Sequence, residues 1–277
     1  MRMLTHCYAF NMDTVRRPLG ALLRTWRNRR RLSQLDLALE AGMSARHLSF
    51  IETGRARPSR EMLLRLADCL QIPPRPCNDV LLAAGYAPRF AERPLTDPDM
   101  QSLGASVQLL LDAHDPYPAL AVDGKWNLVF ANKAVAPLLA GVSPKLLSPP
   151  VNVLRLSLHP EGMAPHIENL SEWRANVLLR LQRQAEASAD EYLDDLLREL
   201  TSYPSPREAP EGSHAVGHSP IATPLRLRTE SGSLAFLSTT MVFDYPLDIN
   251  VSELLIEVFL PADAATAAAL AQTAAGR

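Results

Sequence analysis

Apolar residues between positions 18 and 90 recur every three or four residues in several short stretches. This spacing is typical of amphipathic helices that each bury one face. In the stretch LGALLRTWRNRRRL, one face carries Leu19, Leu22, Leu23 and Trp26, and Pro18 suits the first helical position. The pattern predicts a bundle of short helices over residues 18–90.

Serine residues mark where three of these helices are expected to begin. Ser33, Ser44 and Ser59 each precede an apolar-periodic run, and serine is a favoured N-cap residue. The run NDVLLAAGY, which follows Pro76, is expected to form the last helix. Residues 91–99 contain the polar, twice proline-interrupted stretch ERPLTDPD, which predicts a linker between two domains.

The pattern changes after the linker. Residues 100–114 are still helical in character, but a strand-like alternation follows, with Asp123-Gly124 as the turn of a hairpin. In the second half of this hairpin, the side chains alternate as they do along a strand. Trp126, Leu128 and Phe130 fall on one face, and Asn127, Val129 and Ala131 fall on the other.

The remainder of the chain is helical first and strand-like afterwards. A long helical stretch covers roughly residues 163–200, and a polar loop covers 203–220. Three strand-like runs follow, ATPLRLRT, SLAFLSTTMVFDY and SELLIEVFLP, with a turn at Ser231-Gly232 between the first two. Two strands, helices and three strands predict an α+β domain over residues 100–263 with a five-stranded antiparallel sheet. The Ala-rich tail, residues 264–277, is expected to form a short terminal helix.

Length and composition agree with two globular domains. The chain has 277 residues, of which 47% are hydrophobic and 21% charged. It contains no run of 18 apolar residues, so no membrane span is predicted. The first residues, MRMLTHCYAFNM, lack the apolar core of a signal peptide, so residues 1–17 are interpreted as a flexible extension with Met12 as an alternative start. The three cysteines, Cys7, Cys69 and Cys77, lack metal-like spacing and predict reduced thiols in a cytoplasmic protein.

Charge is distributed unevenly. Residues 1–77 carry 14 arginines and 6 acidic residues, a net charge of +8, whereas the whole chain has a net charge of −2. A basic head on an acidic body indicates that the head meets a polyanion such as DNA. A solvated arginine-rich helix face would give the same composition, so charge alone leaves both interpretations open.

The stretch AGMSARHLSFIETG, residues 41–54, gives the basic head a specific chemistry. A helix that begins after Ser44 places Leu48 and Ile51 on one face and Arg46, Ser49, Phe50 and Thr53 on the other. Gly42 is expected to supply the preceding turn with a positive φ. A phenylalanine on the outward face is poorly suited to water and well suited to a DNA groove.

The outward side chains can read a major groove. Arg46 can bind guanine or phosphate, and Ala45 and Phe50 can contact thymine methyl groups. Gln34, at the start of the preceding helix, is placed for a backbone phosphate. The predicted DNA-binding residues are Gln34, Ser44, Ala45, Arg46, His47, Ser49, Phe50, Thr53 and Arg55.

The run LSQLDLALEAGMSARHLSFIETGRARPSREMLLRLADCLQIP resembles the helix-turn-helix of the Cro/cI (xenobiotic response element) family. The resemblance lies in the Ser-Gln opening, the Ala and Gly positions and the SxxxLSxIExGxxxPS continuation. It implies a five-helix all-α domain that binds a pseudo-palindromic operator as a homodimer. Helices of this kind that only dock on a partner protein are the alternative.

Residues 100–263 resemble the ligand-binding domain of MmyB-like transcription regulators. The matching segments are YPALAVDGKWNLVFAN, LHPEGMAPHIENLSEWRANVLLRLQRQ and PLRLRTESGSLAFLSTTMVFDYPLDINVSELLIEVFLPAD. The resemblance implies a PAS-like sheet with covering helices around an apolar cavity, in which relatives accommodate a fatty-acid-like chain.

An amphiphile also needs a few polar groups that converge on the cavity. Arginine can pair with a carboxylate through two hydrogen bonds, while histidine and tryptophan offer ring N–H groups. The predicted ligand-binding residues are Arg155, His159, His166, Trp173, Arg174, Phe130 and Phe236. Each has a structural alternative, since the arginines can form salt bridges, the histidines can be structural and Trp173 can belong to the core.

No catalytic motif is visible. The positions His159, Glu161, His166 and Glu168 lack the spacing of HExxH, and no GxSxG, Walker loop or GxGxxG occurs. The sequence therefore predicts a cytoplasmic, homodimeric bacterial transcription factor that senses a fatty-acid-like or other apolar small molecule. It predicts no enzyme activity, cofactor, metal or membrane association. In the alternative, the second domain only dimerises or docks a protein partner.

Overall fold

The structure is a computed structural model that describes residues 18–93, 97–204, 223–229, 232–243 and 248–275. The predicted extension 1–17 and most of the predicted loop 203–220 lie outside these residues. Residues 18–93 contain helices α1 (Leu19–Arg29), α2 (Gln34–Glu40), α3 (Ala45–Glu52), α4 (Arg60–Cys69) and α5 (Pro74–Ala83). The predicted all-α head with five helices is confirmed.

Serine caps begin three of these helices, as their positions predict. Ser44 Oγ accepts a hydrogen bond from the backbone N–H of His47 at 3.2 Å, and Ser59 Oγ accepts one from Met62 at 3.2 Å. Ser33 forms a full capping box, because its backbone N–H also donates to the Asp36 carboxylate at 3.0 Å. Pro18 is the residue before α1 rather than its first, and α5 begins at Pro74, earlier than expected.

The head has a continuous apolar core. Leu23, Leu37, Leu48 and Leu63 are fully buried in it, each from a different helix. Ala38, 1% exposed, lies where α2 packs on α3, and a larger side chain there would hold the helices apart. The core fixes α2 and α3 against each other, so the outward face of α3 is rigidly presented.

The second domain is built on one sheet. Its strands are β1 (Ala119–Val122), β2 (Leu128–Ala131), β3 (Leu225–Thr229), β4 (Gly232–Val242) and β5 (Leu255–Pro261). All neighbouring pairs are antiparallel, in the order β2-β1-β5-β4-β3. The predicted five-stranded antiparallel sheet is confirmed. Its helices are α6 (Pro98–Asp112), α7 (Val153–Leu158), α8 (Leu170–Ser188), α9 (Glu191–Ser202), α10 (Ile249–Ser252) and α11 (Ala264–Ala275), with short 3-10 turns at Ala136–Leu139 and Ala164–His166.

Helices cover both faces of the sheet. On one face α6 packs Val107 and Leu111 against Ala121, Ile256 and Val258. On the other face α8 and α9 enclose the larger core, whose members include Val122, Trp173, Leu181, Leu196 and Phe236. Because side chains alternate along β5, Leu255, Glu257 and Phe259 face this larger core.

Two local features differ from the expected pattern, and a third, the terminal helix, is present as expected. Trp126 does not belong to a strand, because it lies in the hairpin turn with φ 66° and β2 begins at Leu128. The long helical stretch is two helices, since Ala189 adopts the left-handed region with φ 59° and ends α8. The terminal helix α11 is part of the fold, because Leu270 is buried in the larger core.

The two domains touch through polar contacts. Arg75 of α5 donates from Nε to Glu253 at 2.8 Å and from Nη2 to Asn250 at 3.1 Å. Arg29 of α1 donates to the carbonyl oxygens of Ala185 and Glu186 in the last turn of α8, both at 3.4 Å. The head is thus tied to α8, a helix that also lines the larger core of the sheet domain. None of the described helices is both long and apolar enough to cross a membrane.

Candidate nucleic-acid interface and ligand cavity

The turn before α3 aims that helix outward. Gly42 has φ 64°, as expected, and its backbone N–H donates to the carbonyl oxygen of Leu39 at 3.2 Å to end α2. Leu48 and Ile51 are at most 1% exposed and anchor the inner face of α3. Arg46 and Thr53 are exposed on the outer face. The helix therefore has the two-sided character that a groove-reading helix needs.

The outward phenylalanine is partly covered by an arginine. The Arg46 guanidinium lies over the Phe50 ring at 5.4 Å from its centroid, a cation–π contact, and Phe50 is half-buried. Thr53 Oγ1 donates to the carbonyl oxygen of Ser49 at 2.8 Å. Arg46 and Phe50 thus form one preorganised pair, with a flat apolar side and a cationic fork, at the centre of the face.

The other predicted contacts surround this pair. Ser44 and Arg55 are exposed at opposite ends of α3, and His47 and Ser49 are half-buried along it. Ala45 is half-buried and packs partly against the core of the head. All predicted residues of α3 and its flanks lie at or next to the outward surface.

Gln34 has a structural partner. Its Nε2 donates to Glu52 Oε2 at 2.8 Å, and the Glu52 carboxylate also accepts from Arg27 Nε at 2.7 Å and Arg24 Nε at 3.4 Å. Gly20 approaches the same residue so closely that a Cβ atom there would lie 2.2 Å from the Glu52 carbonyl oxygen. Gln34 therefore holds α2 against α3, and only its second amide hydrogen is left for a phosphate.

Glu52 is a buried carboxylate that sequence reasoning missed. Its side chain is 0% exposed. Burial alone would favour the protonated form, but the donors Arg27, Gln34 and Arg24 outweigh it and hold the pKa of Glu52 below its ordinary value of 4.5. The helical phase gives a signal, because Glu52 follows Leu48 by four residues and so shares its inner face.

The head presents many exposed arginines on its surface. A positive field of this kind attracts a polyanion, and each phosphate that an arginine neutralises adds salt-dependent binding affinity. The exposed arginines of residues 18–77 are Arg24, Arg29, Arg31, Arg46, Arg55, Arg57, Arg60 and Arg65.

A second candidate site lies inside the sheet domain. A cavity of about 80 Å³ separates the sheet from α7 and α8, and its walls are almost entirely apolar. Half-buried Leu138, Leu139 and Met163 form part of the wall nearest to solvent. Of the predicted ligand-binding residues, Trp173 and Phe236 line this cavity.

Three polar side chains interrupt the apolar wall: Ser157, Arg180 and Glu257. Ser157 Oγ accepts a hydrogen bond from Trp173 Nε1 at 2.8 Å. Arg180 Nη1 donates to Glu257 Oε1 at 2.5 Å, and the Arg180 guanidinium stacks 4.5 Å from the Trp126 ring centroid. Burial raises the pKa of Glu257, while the nearby Arg180 works in the opposite direction.

The other two predicted arginines are engaged with α9. Arg155 donates from Nε and Nη2 to Glu199 at 2.7 and 2.6 Å, and Arg174 Nη2 donates to the carbonyl oxygen of Thr201 at 2.7 Å. The Arg155 guanidinium holds the pKa of Glu199 below its ordinary value, although burial opposes it. Neither arginine lines the cavity.

The two histidines and Phe130 also lie away from the cavity wall. His159 packs edge-on against Tyr203 at 5.0 Å, and its Nδ1 accepts from the Glu161 backbone N–H at 3.0 Å. His166 is exposed at the end of a 3-10 turn. Phe130 packs on the α6 face of the sheet. No group of three or more potential metal ligands occurs in the part of the chain that is described.

Arg180 and Glu257 were not predicted, although both leave a trace in the sequence. Arg180 lies seven residues after Trp173 and therefore shares the inward face of α8. Glu257 is an acidic residue inside the apolar run LIEVFLP, in the central part of a buried strand. A buried charge in such a run costs free energy unless it is paired, so an acidic residue at this position indicates a buried cationic partner.

Comparison with known proteins agrees with the two-domain description. Residues 103–272, more than half of the chain, match the family model of the MmyB-like transcription regulator ligand binding domain. Residues 18–76 match a helix-turn-helix domain model. A search of curated proteins finds no match.

Among solved structures, two regulators are similar in part. The restriction-modification controller protein C.AhdI from Aeromonas hydrophila is 34% identical over 21% of this chain and 89% of its own, with a TM-score of 0.21. The clp gene regulator ClgR from C. glutamicum is 33% identical over 24% of this chain and 83% of its own, with a TM-score of 0.22.

Proposed function

Because the chain belongs to the family of DNA-binding transcription regulators with an MmyB-like ligand-binding domain, we propose that α3 reads a pseudo-palindromic operator and that the cavity binds a fatty-acid-like amphiphile. A homodimer places one α3 in each half-site. Binding of the amphiphile changes the affinity for the operator, as linkage requires when the two states bind it unequally.

The observation that carries the DNA-binding half of the proposal is the Arg46–Phe50 pair on the outward face of α3. The guanidinium can donate to guanine or phosphate while the ring contacts a thymine methyl group or a sugar. Arg55 at the end of α3 and Ser44 at its start are exposed at either side, where backbone phosphates pass.

The ligand-binding half is supported by the apolar cavity between the sheet and α8. Its volume of about 80 Å³ is below the ~300 Å³ at which ligand pockets usually begin. An acyl chain therefore enters only if Leu138, Leu139 and Met163 move apart, and these are half-buried side chains rather than core residues. Such a movement is a conformational change that can be transmitted from the cavity to the head.

A direct mechanical route connects the two sites. Trp173, Val177 and Arg180 of α8 line the cavity, and the last turn of α8 accepts hydrogen bonds from Arg29 of the head. A displacement of α8 by the amphiphile moves the surface on which α1 rests. The position or mobility of the head then responds to the cavity.

A second candidate function is favoured by the small cavity volume. If the cavity never opens, the sheet domain serves only to dimerise the chain or to dock a protein partner. Native mass spectrometry of the purified chain separates the two. A bound amphiphile of defined mass supports the sensor, and a ligand-free chain that takes up no added amphiphile supports the alternative.

The DNA-binding proposal is tested by selecting binding sites from genomic DNA and measuring affinity for the recovered sequence. Arg46→Ala combined with Phe50→Ala is expected to abolish specific binding while leaving the circular dichroism spectrum unchanged. Arg198→Ala, an exposed arginine of α9, is the control. Affinity is also expected to fall steeply with salt. Unchanged affinity of the double variant contradicts the assignment of α3.

A further inference from the structure

The segment that joins the two domains, residues 89–93, is held on one side by a buried asparagine of the head. Asn78 of α5 is 7% exposed. Its Oδ1 accepts hydrogen bonds from the backbone N–H groups of Arg89 at 2.9 Å and Phe90 at 3.1 Å. Its Nδ2 donates to the carbonyl oxygen of Phe90 at 2.9 Å. One side chain of the head therefore takes the place of secondary structure for the first part of this segment.

The sheet domain holds the same segment from the other side. Asp248, also 7% exposed, accepts a hydrogen bond from the Arg93 backbone N–H at 2.9 Å. Asn250 Nδ2 donates to the carbonyl oxygen of Arg93 at 2.8 Å, and the backbone N–H of Ile249 donates to the carbonyl oxygen of Ala91 at 2.9 Å. Residues 89–93, the clamped segment, are thus fixed between α5 and the start of α10.

Burial makes the clamped segment rigid. A buried polar group that loses its hydrogen-bond partner is not rescued by water, so the bonds of Asn78 and Asp248 are costly to open. Phe90 also packs against the core of the head, and Arg75 of α5 forms an ion pair with Glu92 of the segment. The composition of the predicted linker is that of a flexible tether, whereas these contacts give the head one orientation on its sheet domain.

We propose that Asn78 and Asp248 are positioning residues that make the homodimer selective for the spacing of its operator half-sites. In the proposed homodimer, each α3 lies on a head that cannot turn on its own sheet domain. The separation and the relative rotation of the two α3 helices are then fixed, and so is the half-site spacing that both can reach. Both residues act through the clamped segment and not through DNA. This inference rests on the proposed function, because it needs a dimer that reads two half-sites.

The helical geometry of DNA makes spacing a sensitive readout. Two base pairs inserted between the half-sites move them apart by about 7 Å and rotate one against the other by roughly 70°. Rigidly held heads then lose one of the two half-sites. Heads on a loose tether keep both, because the tether holds the second head near its half-site at a high effective concentration.

The experiment compares two DNA duplexes, one with the operator recovered from genomic DNA and one with two base pairs inserted at its centre. By fluorescence anisotropy, we expect the full native chain to bind the inserted duplex at least about tenfold more weakly. Asn78→Ala releases the clamped segment from the head, and Asp248→Ala releases it from the sheet domain. Each is expected to bring the ratio of the two affinities to within about threefold, with unchanged affinity for a duplex that carries a single half-site.

Two exposed positions offer matched controls. Asn28→Ala in α1 and Asp195→Ala in α9 make the same substitutions outside the clamp and are expected to keep the native ratio. The unchanged affinity for a single half-site, together with a circular dichroism spectrum, shows that each variant is folded and carries an intact α3.

Trypsin cleavage after Arg89 tests the clamp without DNA. The Arg89 side chain is exposed, but the N–H of the peptide bond that trypsin would cut, that of Phe90, is bound to Asn78. Cleavage therefore needs local opening of the segment. We expect it to be at least about tenfold faster in Asn78→Ala than in the native chain or in Asn28→Ala. Equal rates would show that Asn78 does not hold the segment.

The possible failures are distinguishable. If the native chain binds both duplexes equally, or if either clamp variant keeps the native ratio, the spacing inference is overturned while the DNA-binding function stands. If the native chain binds neither duplex nor the single half-site, both proposals fall.

Discussion

A single carboxylate, Glu52, organises the side of the head that joins α1, α2 and α3. It accepts hydrogen bonds from one residue of α2 and two of α1, and its own helix carries the face that we propose reads DNA. The Arg27 side chain is 12% exposed at this contact, so the pair is shielded from salt. The orientation of α3 therefore depends on an ionised group on the inner face of that helix.

Glu52→Gln tests this dependence through pH. The pKa of Glu52 is lower in the folded chain than its ordinary 4.5, so its contribution to stability is full above that value and is lost as pH falls through the folded pKa. We expect the variant to lose about 2 kcal/mol of head stability at pH 7, measured by urea unfolding. Below pH 4 the difference between the two proteins should shrink, and a constant difference from pH 7 to pH 3 would contradict the role of the charge.

At the residue scale, the sequence predicts which side chains are buried but not which distant side chains they pair with. Trp173 and Phe236 line the cavity, because large apolar side chains on the inner face of a helix or strand pack into the core around it; their contact with a ligand stays a prediction. Arg155 was placed with the ligand by its chemistry alone, and it pairs with Glu199, 44 residues away. Nothing in the spacing identifies which of many acidic residues an arginine meets, because that choice is made by the packing of α7 on α9.

At the scale of elements, local capping chemistry was the most predictable feature. Ser33, Ser44 and Ser59 cap helices as expected, since the capping bond involves only residues three apart. Helix α7 was not predicted, because its six residues are too few for a period of 3.6 to appear. The break at Ala189 was also missed, because alanine carries no preference for the left-handed region.

The caps of α3 and α4 offer a matched pair of variants. Ser44→Ala and Ser59→Ala each remove one capping bond and are expected to lose about 1 kcal/mol of stability in urea unfolding. Only Ser44 lies at the end of α3 that we propose faces DNA, so only Ser44→Ala should also reduce operator affinity, measured under conditions where both variants are folded. Equal affinities of the two variants would remove Ser44 from the interface.

At the scale of the whole molecule, a polar cluster at Arg75 joins the domains. Arg75 binds Glu253 and Asn250 of the sheet domain and also contacts Glu92. Burial favours its neutral form, but the two carboxylates outweigh this and raise the pKa of Arg75. Domain contacts of this kind were invisible in the sequence, since they depend on how two separately patterned domains meet.

Arg75→Ala is expected to weaken the coupling of the two domains, although the contacts of Arg29 with α8 remain. The side chains in its two ion pairs are between 34% and 42% exposed, so the free-energy loss is small, roughly 1 kcal/mol. The informative readout is calorimetry, in which the overlapping transitions of the two domains should separate in the variant. Arg65→Ala, whose partner Ala41 lies within the head, is the control. Identical traces for Arg75→Ala and the native chain would show that this cluster does not couple the domains.

We propose that occupancy of the cavity changes the affinity of the head for its operator. The most direct test is the operator affinity of the native chain, measured by fluorescence anisotropy with and without saturating decanoate as a fatty-acid probe. We expect the dissociation constant to change by about tenfold, with an equal reciprocal change in the affinity for the amphiphile when operator is present. Equal operator affinities at full occupancy of the cavity would contradict the claim.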